Sequence, residues 1–202
     1  MNLKETYNHI AEEWHQDHQT DDWWVRGTDK FISFLKSGSL VLDAGCGGGT
    51  KSKYLISKGL RVVGVDFSES MIAIARREVP GGTFHVLDLN DVETLEESFD
   101  GVFTQAVLLH VPKHRVGEVI KKMVTKLKQG GYLYIAVKEK KSDGPDEEVK
   151  TEDDYGYPYE RFFSYFTADE IKSYVEDVGL RVVFSEITPS GNVKWIQIIA
   201  RK

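Results

Sequence analysis

This 202-residue sequence predicts a three-layer α/β sandwich around a mostly parallel sheet. Three observations point there. Short apolar runs alternate with amphipathic stretches from Leu40 to Val137, the rhythm of strands crossed over by helices that cover both faces of a sheet. The first run, Val41 to Ala44, leads straight into the glycine cluster Gly45-Cys46-Gly47-Gly48-Gly49, where backbone amides can approach a ligand at a helix N-terminus. After Val137 the rhythm breaks, and the chain closes on two extended runs around Ser190-Gly191-Asn192, a hairpin at a sheet edge.

Strands are expected at Leu40–Ala44, Arg61–Val65, Thr83–Val86, Gly101–Gln105 and Tyr132–Val137, with helices at Lys51–Ser57, Ser70–Glu78 and Lys113–Lys128. The third crossover, Asn90 to Glu97, is short and acidic, with room for a turn or two of helix. Residues Glu139 to Glu160 hold nine acids and three lysines, with turn signals at Gly144-Pro145 and Gly156-Tyr157-Pro158. This segment reads as a solvated loop, or alternatively as a mobile lid that attracts cations. Thr167 followed by Glu170 is a capping-box pattern opening a helix that stops at Gly179. Arg181–Ile187 and Val193–Ala200 form the final hairpin.

The chain is read as one domain, residues 1–202. It divides into an N-terminal helical cover (1–38), a ligand-binding core (39–138), an acidic and aromatic insertion (139–166), and a C-terminal helix and hairpin (167–202). A formal charge of −6 argues against nucleic acid as partner. No run approaches the roughly 18 apolar residues of a membrane span, and the polar start Met1 to Ile10 does not read as a signal peptide. The single Cys46 excludes an internal disulfide and fits a reducing, cytoplasmic setting.

Three strands end in acids: Asp43, Asp66 and Asp88. In open α/β sheets, ligands bind at those carboxyl ends. Asp66 lies 23 positions after Asp43, where a carboxylate can accept both hydroxyls of a ribose. Asp88, followed by Leu89, suits the edge of an adenine. The reading places three carboxylates and no lysine or arginine near the glycine turn. That fits a nucleoside without phosphates, and S-adenosylmethionine better than a dinucleotide. Thr50 also stands where the dinucleotide fingerprint wants glycine.

The motifs VLDAGCGGGT (41–50), VVGVDFSESMI (62–72), FHVLDLND (84–91), FDGVFTQAVLLHVP (99–112) and LKQGGYLYIAVKE (127–139), with GLRVV (179–183) and WIQIIARK (195–202), occur in family order. Through them the chain resembles the class I S-adenosylmethionine-dependent methyltransferases of the small-molecule branch. The resemblance implies a seven-stranded sheet with the last strand antiparallel, and S-adenosyl-L-methionine as cofactor. It implies SN2 transfer of a methyl group to a small-molecule acceptor, or alternatively a non-catalytic binder of that cofactor acting as a sensor or scaffold. On this resemblance Asp43, Gly45 and Gly47 shape the floor beneath the methionine part. Asp66 holds the ribose, Phe67 packs on the adenine, and Asp88 and Leu89 read its edge. Gln105 meets the amino group, Tyr7 and Trp14 cover the site, and Arg26 pairs with the methionine carboxylate.

Four further features have competing readings. His110, after the fourth strand, is a candidate catalytic base, or caps the following helix or bonds to backbone. His9, His15 and His18 with Asp17, Asp21 and Asp22 fit no standard metal site, so no metal is expected. Cys46 reads as a small packed residue, not a nucleophile. The aromatics Tyr155 to Phe166 wall an acceptor pocket or simply cover the core. An oxidoreductase reading is disfavoured because Gln105 to Arg115 holds no tyrosine for a Tyr-x-x-x-Lys pair. A nucleic-acid methylase reading lacks its Pro-Pro-Tyr/Phe signature at Gln105-Ala106-Val107-Leu108.

Overall fold

The computed structural model describes residues 2–202. Seven strands form one sheet: β1 (Leu40–Ala44), β2 (Arg61–Asp66), β3 (Thr83–Val86), β4 (Phe99–Gln105), β5 (Leu127–Lys138), β8 (Arg181–Ser190) and β9 (Val193–Arg201). Their order is β3-β2-β1-β4-β5-β9-β8. The first five run parallel to one another, and β9 enters antiparallel between β5 and β8. The closing hairpin therefore joins the sheet through its second strand. The order reverses between β1 and β4, and that switch opens a crevice above the carboxyl ends.

Helices cover both faces. Along β5, Leu133, Ile135 and Val137 point to one side and pack with Val116, Ile120 and Met123 of α6 (Lys113–Thr125) and Ile171 and Val175 of α7 (Ala168–Asp177). Tyr134 and Ala136 point to the other, among Phe31 of α3 (Val25–Ile32) and Leu55 of α4 (Thr50–Ser57). The same period-2 alternation splits Leu42 from Val41 in β1. α5 (Glu69–Glu78) packs Ile72 and Ala75 on Phe84 and Cys46. α1 (Leu3–His9) and α2 (Ala11–Asp17) lie over α5, with Ala11 and Tyr7 against Met71 and Ile74.

Several boundaries differ from expectation. β4 starts at Phe99 and β5 at Leu127, because those two residues pair across the strands before residues 128–131 loop out of register. That early pairing also ends α6 at Thr125. The third crossover is a single 3-10 segment, Leu89–Thr94.

The acidic insertion is not a loop. It folds into an antiparallel hairpin of β6 (Glu147–Glu152) and β7 (Tyr159–Ser164). The bridge Glu139↔Phe166 and the buried Phe163 hold it over the carboxyl ends of the main sheet. Four of its acids form ion pairs: Glu152 with Arg161, Glu148 with Lys150, Asp146 with Lys113 and Lys140, and Glu139 with Lys194.

The Thr167 capping box forms as expected, with the Glu170 amide donating to the threonine hydroxyl (3.2 Å) and the Thr167 amide to the Glu170 carboxylate (2.7 Å). Thr167→Ala should lower stability by about 1 kcal/mol, read as a shifted urea midpoint with an unchanged slope.

Candidate active site

Above the carboxyl ends of β1, β2, β4 and β5 lies a cavity of about 640 Å³. The glycine turn forms its floor. The Gly45 and Cys46 amides both donate to the Val65 carbonyl, at 2.8 and 3.0 Å, so the turn is tied to the end of β2. Gly45 has φ +81°, and a β-carbon there would stand 2.3 Å from Val107 Cγ2. Only glycine serves at that position. Ala106, at the end of β4, takes φ +57° without being glycine, a strained residue on the cavity wall.

All three strand-end acids line the cavity. Asp43 is 2% exposed and accepts from the Ser52 hydroxyl at 2.6 Å. Asp66 accepts from the Gly47 amide (3.0 Å) and the Ser68 amide (2.9 Å). Burial pushes both carboxyls up to about 6 against those hydrogen bonds. Asp88 accepts from the backbone and side-chain nitrogens of Asn90. Cys46 packs with Ile72, Ala75 and Phe84, and burial with two acids nearby pushes its thiol well up. It is placed as an inert packing residue, not a nucleophile.

Of the residues singled out from sequence, Tyr7, Trp14, Gly45, Gly47, Phe67, Leu89, Gln105 and His110 also line the cavity. Tyr7 stands edge-on to Phe67, Trp14 and His110, each at 5.5–6.0 Å between ring centres. Two buried polar atoms on this lining have no protein partner: Trp14 Nε1 and Gln105 Oε1. Unsatisfied groups of that kind in a cavity wall imply a ligand or water to meet them.

Arg26 is a correction. It is absent from the lining, its side chain is 80% exposed, and it pairs with Glu186 of β8 at 3.0 Å. On α3 the buried residues are Gly27, Thr28 and Phe31, so Arg26 falls on the solvent side of the helix. A second expectation fails at Lys51, two residues past the turn in the first turn of α4. Lys51 is half-buried on the cavity wall, forms no ion pair among the described residues, and has its ammonium 5.2 Å from the centre of the Trp24 ring. Burial lowers its pKa, opposed by the charges of Asp21 and Asp43.

His110 bonds through both ring nitrogens. Nδ1 lies 2.7 Å from the Phe162 carbonyl, which can only accept, so Nδ1 carries the proton. Nε2, 2.8 Å from the Tyr7 hydroxyl, is then the acceptor. Burial pushes this imidazole down to about 3, helped by the charges of Arg161 and Lys138. His18 stacks on Trp14 and bonds its carbonyl. Among the described residues no three His, Cys, Asp or Glu side chains gather to hold a metal.

Beyond Gln105 the cavity is walled by Trp23, Leu109, Lys138, Arg161, Phe163 and Trp195. The strand-end rule that found the acids also reaches Lys138, the last residue of β5. Arg161 and Phe163 come from β7, which no alternation in the acidic insertion announces.

Residues 41–131 match the family model described as "Methyltransferase domain". An O-methyltransferase of ubiquinone biosynthesis from Coxiella burnetii is 35% identical over 103 residues, 49% of this chain and 43% of that protein, so less than half of that relative is matched. The fold is shared with 1,6-didemethyltoxoflavin-N1-methyltransferase of Burkholderia thailandensis, solved with S-adenosylhomocysteine. That likeness has a TM-score of 0.77 and 22% identity, and covers 99% of this chain and 87% of that one. It is also shared with magnesium protoporphyrin IX methyltransferase of Synechocystis PCC 6803, solved with S-adenosylmethionine, at TM-score 0.73 and 19% identity, covering 99% and 95%. The architecture is thus that of the class I methyltransferases.

Tyr7→Phe leaves His110 Nε2 buried without a donor and should cost about 1–2 kcal/mol in urea unfolding. The same change made in a His110→Phe background should cost clearly less, because the orphaned nitrogen is gone.

Proposed function

We propose that this chain is an S-adenosylmethionine-dependent methyltransferase acting on a small-molecule acceptor. The observation that carries the reading is one cavity lined by the glycine turn and by Asp43, Asp66 and Asp88. The orphaned Gln105 Oε1 and the unpaired Lys51 fit the two ends of an amino acid attached to a nucleoside.

Asp66 keeps lone pairs free to accept from ribose hydroxyls, and Phe67 and Leu89 offer apolar contact to the adenine beside Asp88. Gln105 Oε1 accepts from the methionine ammonium. Asp43 lies beneath with a charge that balances a cation. Lys51, in place of Arg26, pairs with the methionine carboxylate. Bound there, the cofactor supplies a sulfonium methyl group open to in-line attack. The chain's own contribution is alignment and exclusion of water. Tyr7 and Trp14 close the cavity from above. His110, neutral and with both nitrogens engaged, is assigned as a positioning residue that fixes Tyr7, and an acceptor already ionised needs no base from it.

The apolar lining beyond Gln105, Trp23, Leu109, Phe163 and Trp195, offers a surface for a second molecule beside the cofactor and favours catalysis over a non-catalytic binder. A formal charge of −6 supports a small acceptor over nucleic acid. No helix of the described residues is long and apolar enough to cross a membrane. A single buried cysteine, Cys46, with no second one to pair with, fits a reducing, cytoplasmic setting.

Calorimetric titration with S-adenosylmethionine, S-adenosylhomocysteine and NADH tests the reading. Both adenosyl ligands should bind, NADH should not, and Asp66→Ala should weaken binding by about 30-fold or more. Binding of NADH alone, or of none of the three, overturns it.

The affinity for S-adenosylhomocysteine should also depend on pH in one direction. Ribose hydroxyls donate to ionised Asp66, whose carboxyl stands at about 6. Protonation competes with the ligand, so affinity falls as pH drops through about 6 and levels off above 7. Asp66→Asn should flatten the profile.

Lys51→Met should weaken S-adenosylhomocysteine about tenfold while leaving 5′-methylthioadenosine, which lacks the amino acid, unchanged. Arg26→Ala should alter neither. Equal losses for both ligands with Lys51→Met would remove Lys51 from the carboxylate.

A further inference from the structure

Three cations surround the Phe163 ring at the acceptor end of the cavity: Lys138 at 4.4 Å, Arg161 at 5.2 Å and Lys150 at 5.6 Å from its centre. Two of them are already neutralised. Arg161 grips Glu152 through two bonds of 2.5 and 2.7 Å, and Lys150 pairs with Glu148 at 3.3 Å. The remaining nearby acid, Glu139, is turned to Lys194 at 3.5 Å. Lys138 alone forms no ion pair among the described residues, and it is half-buried on the cavity wall. Charge at this end therefore sums to one uncompensated positive, although the insertion that builds the wall is acidic by composition.

The position of that charge follows from the sheet. Gln105, the last residue of β4, is in register with Ala136 of β5, and Lys138 lies two residues further along β5. It points to the same side as Ala136, beyond the residues assigned to the cofactor. Its cross-strand partner is Trp195 of β9, which stacks on Trp23 at 3.9 Å between ring centres and 10° between planes. Leu109 and Phe163 complete this apolar cluster. A lone ammonium set among aromatic rings is held by cation–π attraction, yet burial without a counter-charge still disfavours its charged form. Its pKa is lowered to about 8, first by burial and then by the Arg161 and Lys150 charges.

We propose that the methyl acceptor is an aromatic acid, a flat ring seated among Trp195, Phe163 and Leu109 with its anionic group paired to Lys138. This rests on the methyltransferase reading above. The anion supplies the counter-charge that Glu152 and Glu148 supply to the other two cations. The acidic insertion then attracts no cationic acceptor, because its carboxylates near the cavity are spent on Arg161 and Lys150.

The test uses probes matched in shape and differing in charge: indole-3-acetate, indole-3-acetamide and tryptamine. Each is titrated into the 202-residue chain saturated with S-adenosylhomocysteine, for wild type, Lys138→Met and Lys138→Arg. The acid should bind about tenfold or more tighter than the amide and the amine. Lys138→Arg should keep that preference and Lys138→Met should lose it. Thermal melting and S-adenosylhomocysteine affinity report whether each variant is folded. Amide or amine binding as tight as acid overturns the proposal, as does an acid preference that survives Lys138→Met, or no binding of the acid at millimolar concentration. If wild type fails to bind S-adenosylhomocysteine at all, the cofactor reading falls and this inference with it; a protein that binds it but ignores the acid loses only the acceptor assignment.

Discussion

Everything in this cavity depends on how the glycine turn is tied to the second strand. Two amides of the turn converge on the Val65 carbonyl, and a third, from Gly47, reaches the Asp66 carboxylate. These bonds place Asp43 and Asp66 side by side at the ends of adjacent strands while satisfying them only in part. Burial holds both close to protonation, so the floor carries carboxylates that gain from any ligand able to donate hydrogen bonds or bring positive charge. A β-carbon at Gly45 would drive into Val107 and move the turn off that anchor.

The upper half of the cavity obeys a different rule. Its walls come from segments remote in sequence, α1, the end of β4, the end of β5 and β7, each contributing one or two side chains. Lys4 and Arg161 are brought in together with carboxylates, whereas Arg115 donates to the Asn90 side-chain carbonyl and Lys51 and Lys138 form no ion pair among the described residues. Of these, Lys51 stands near the glycine turn and Lys138 beside Trp195. Polarity is thus written into the chamber as two unpaired ammonium groups separated by a floor of acids.

How much of this the sequence displays follows from the range of the interactions involved. The sheet was legible because period-2 alternation, glycine turns and caps are local: β1 and β3 have the expected ends, and the Thr167 capping box forms as read. The three acids were legible because a parallel sheet brings every strand's carboxyl end to one edge. The start of β5 was hidden because Leu127 pairs with Phe99 across the sheet, a contact no local pattern encodes. The β6–β7 hairpin was hidden for a related reason. β6 contains one aliphatic residue among acids, a lysine and a threonine, and it folds through cross-strand pairing and ion pairs rather than an apolar face. Arg26 was misplaced because helical phase, not proximity in sequence, decides which residue of α3 meets the sheet. Lys51 is hidden because it lies past the turn on α4, and only the orientation of that helix brings its side chain to the cavity wall.

His110 reinforces a seam at which two parts of the chain already touch: Tyr7 of the first helix hangs on one nitrogen and the Phe162 carbonyl of the hairpin on the other, while Thr6 donates to the Glu160 carbonyl and Arg161 to the Tyr7 hydroxyl. Tyr7 and the β7 wall of the cavity therefore share one seam of several bonds. Lifting either exposes the imidazole to water and loosens the support of its neighbour.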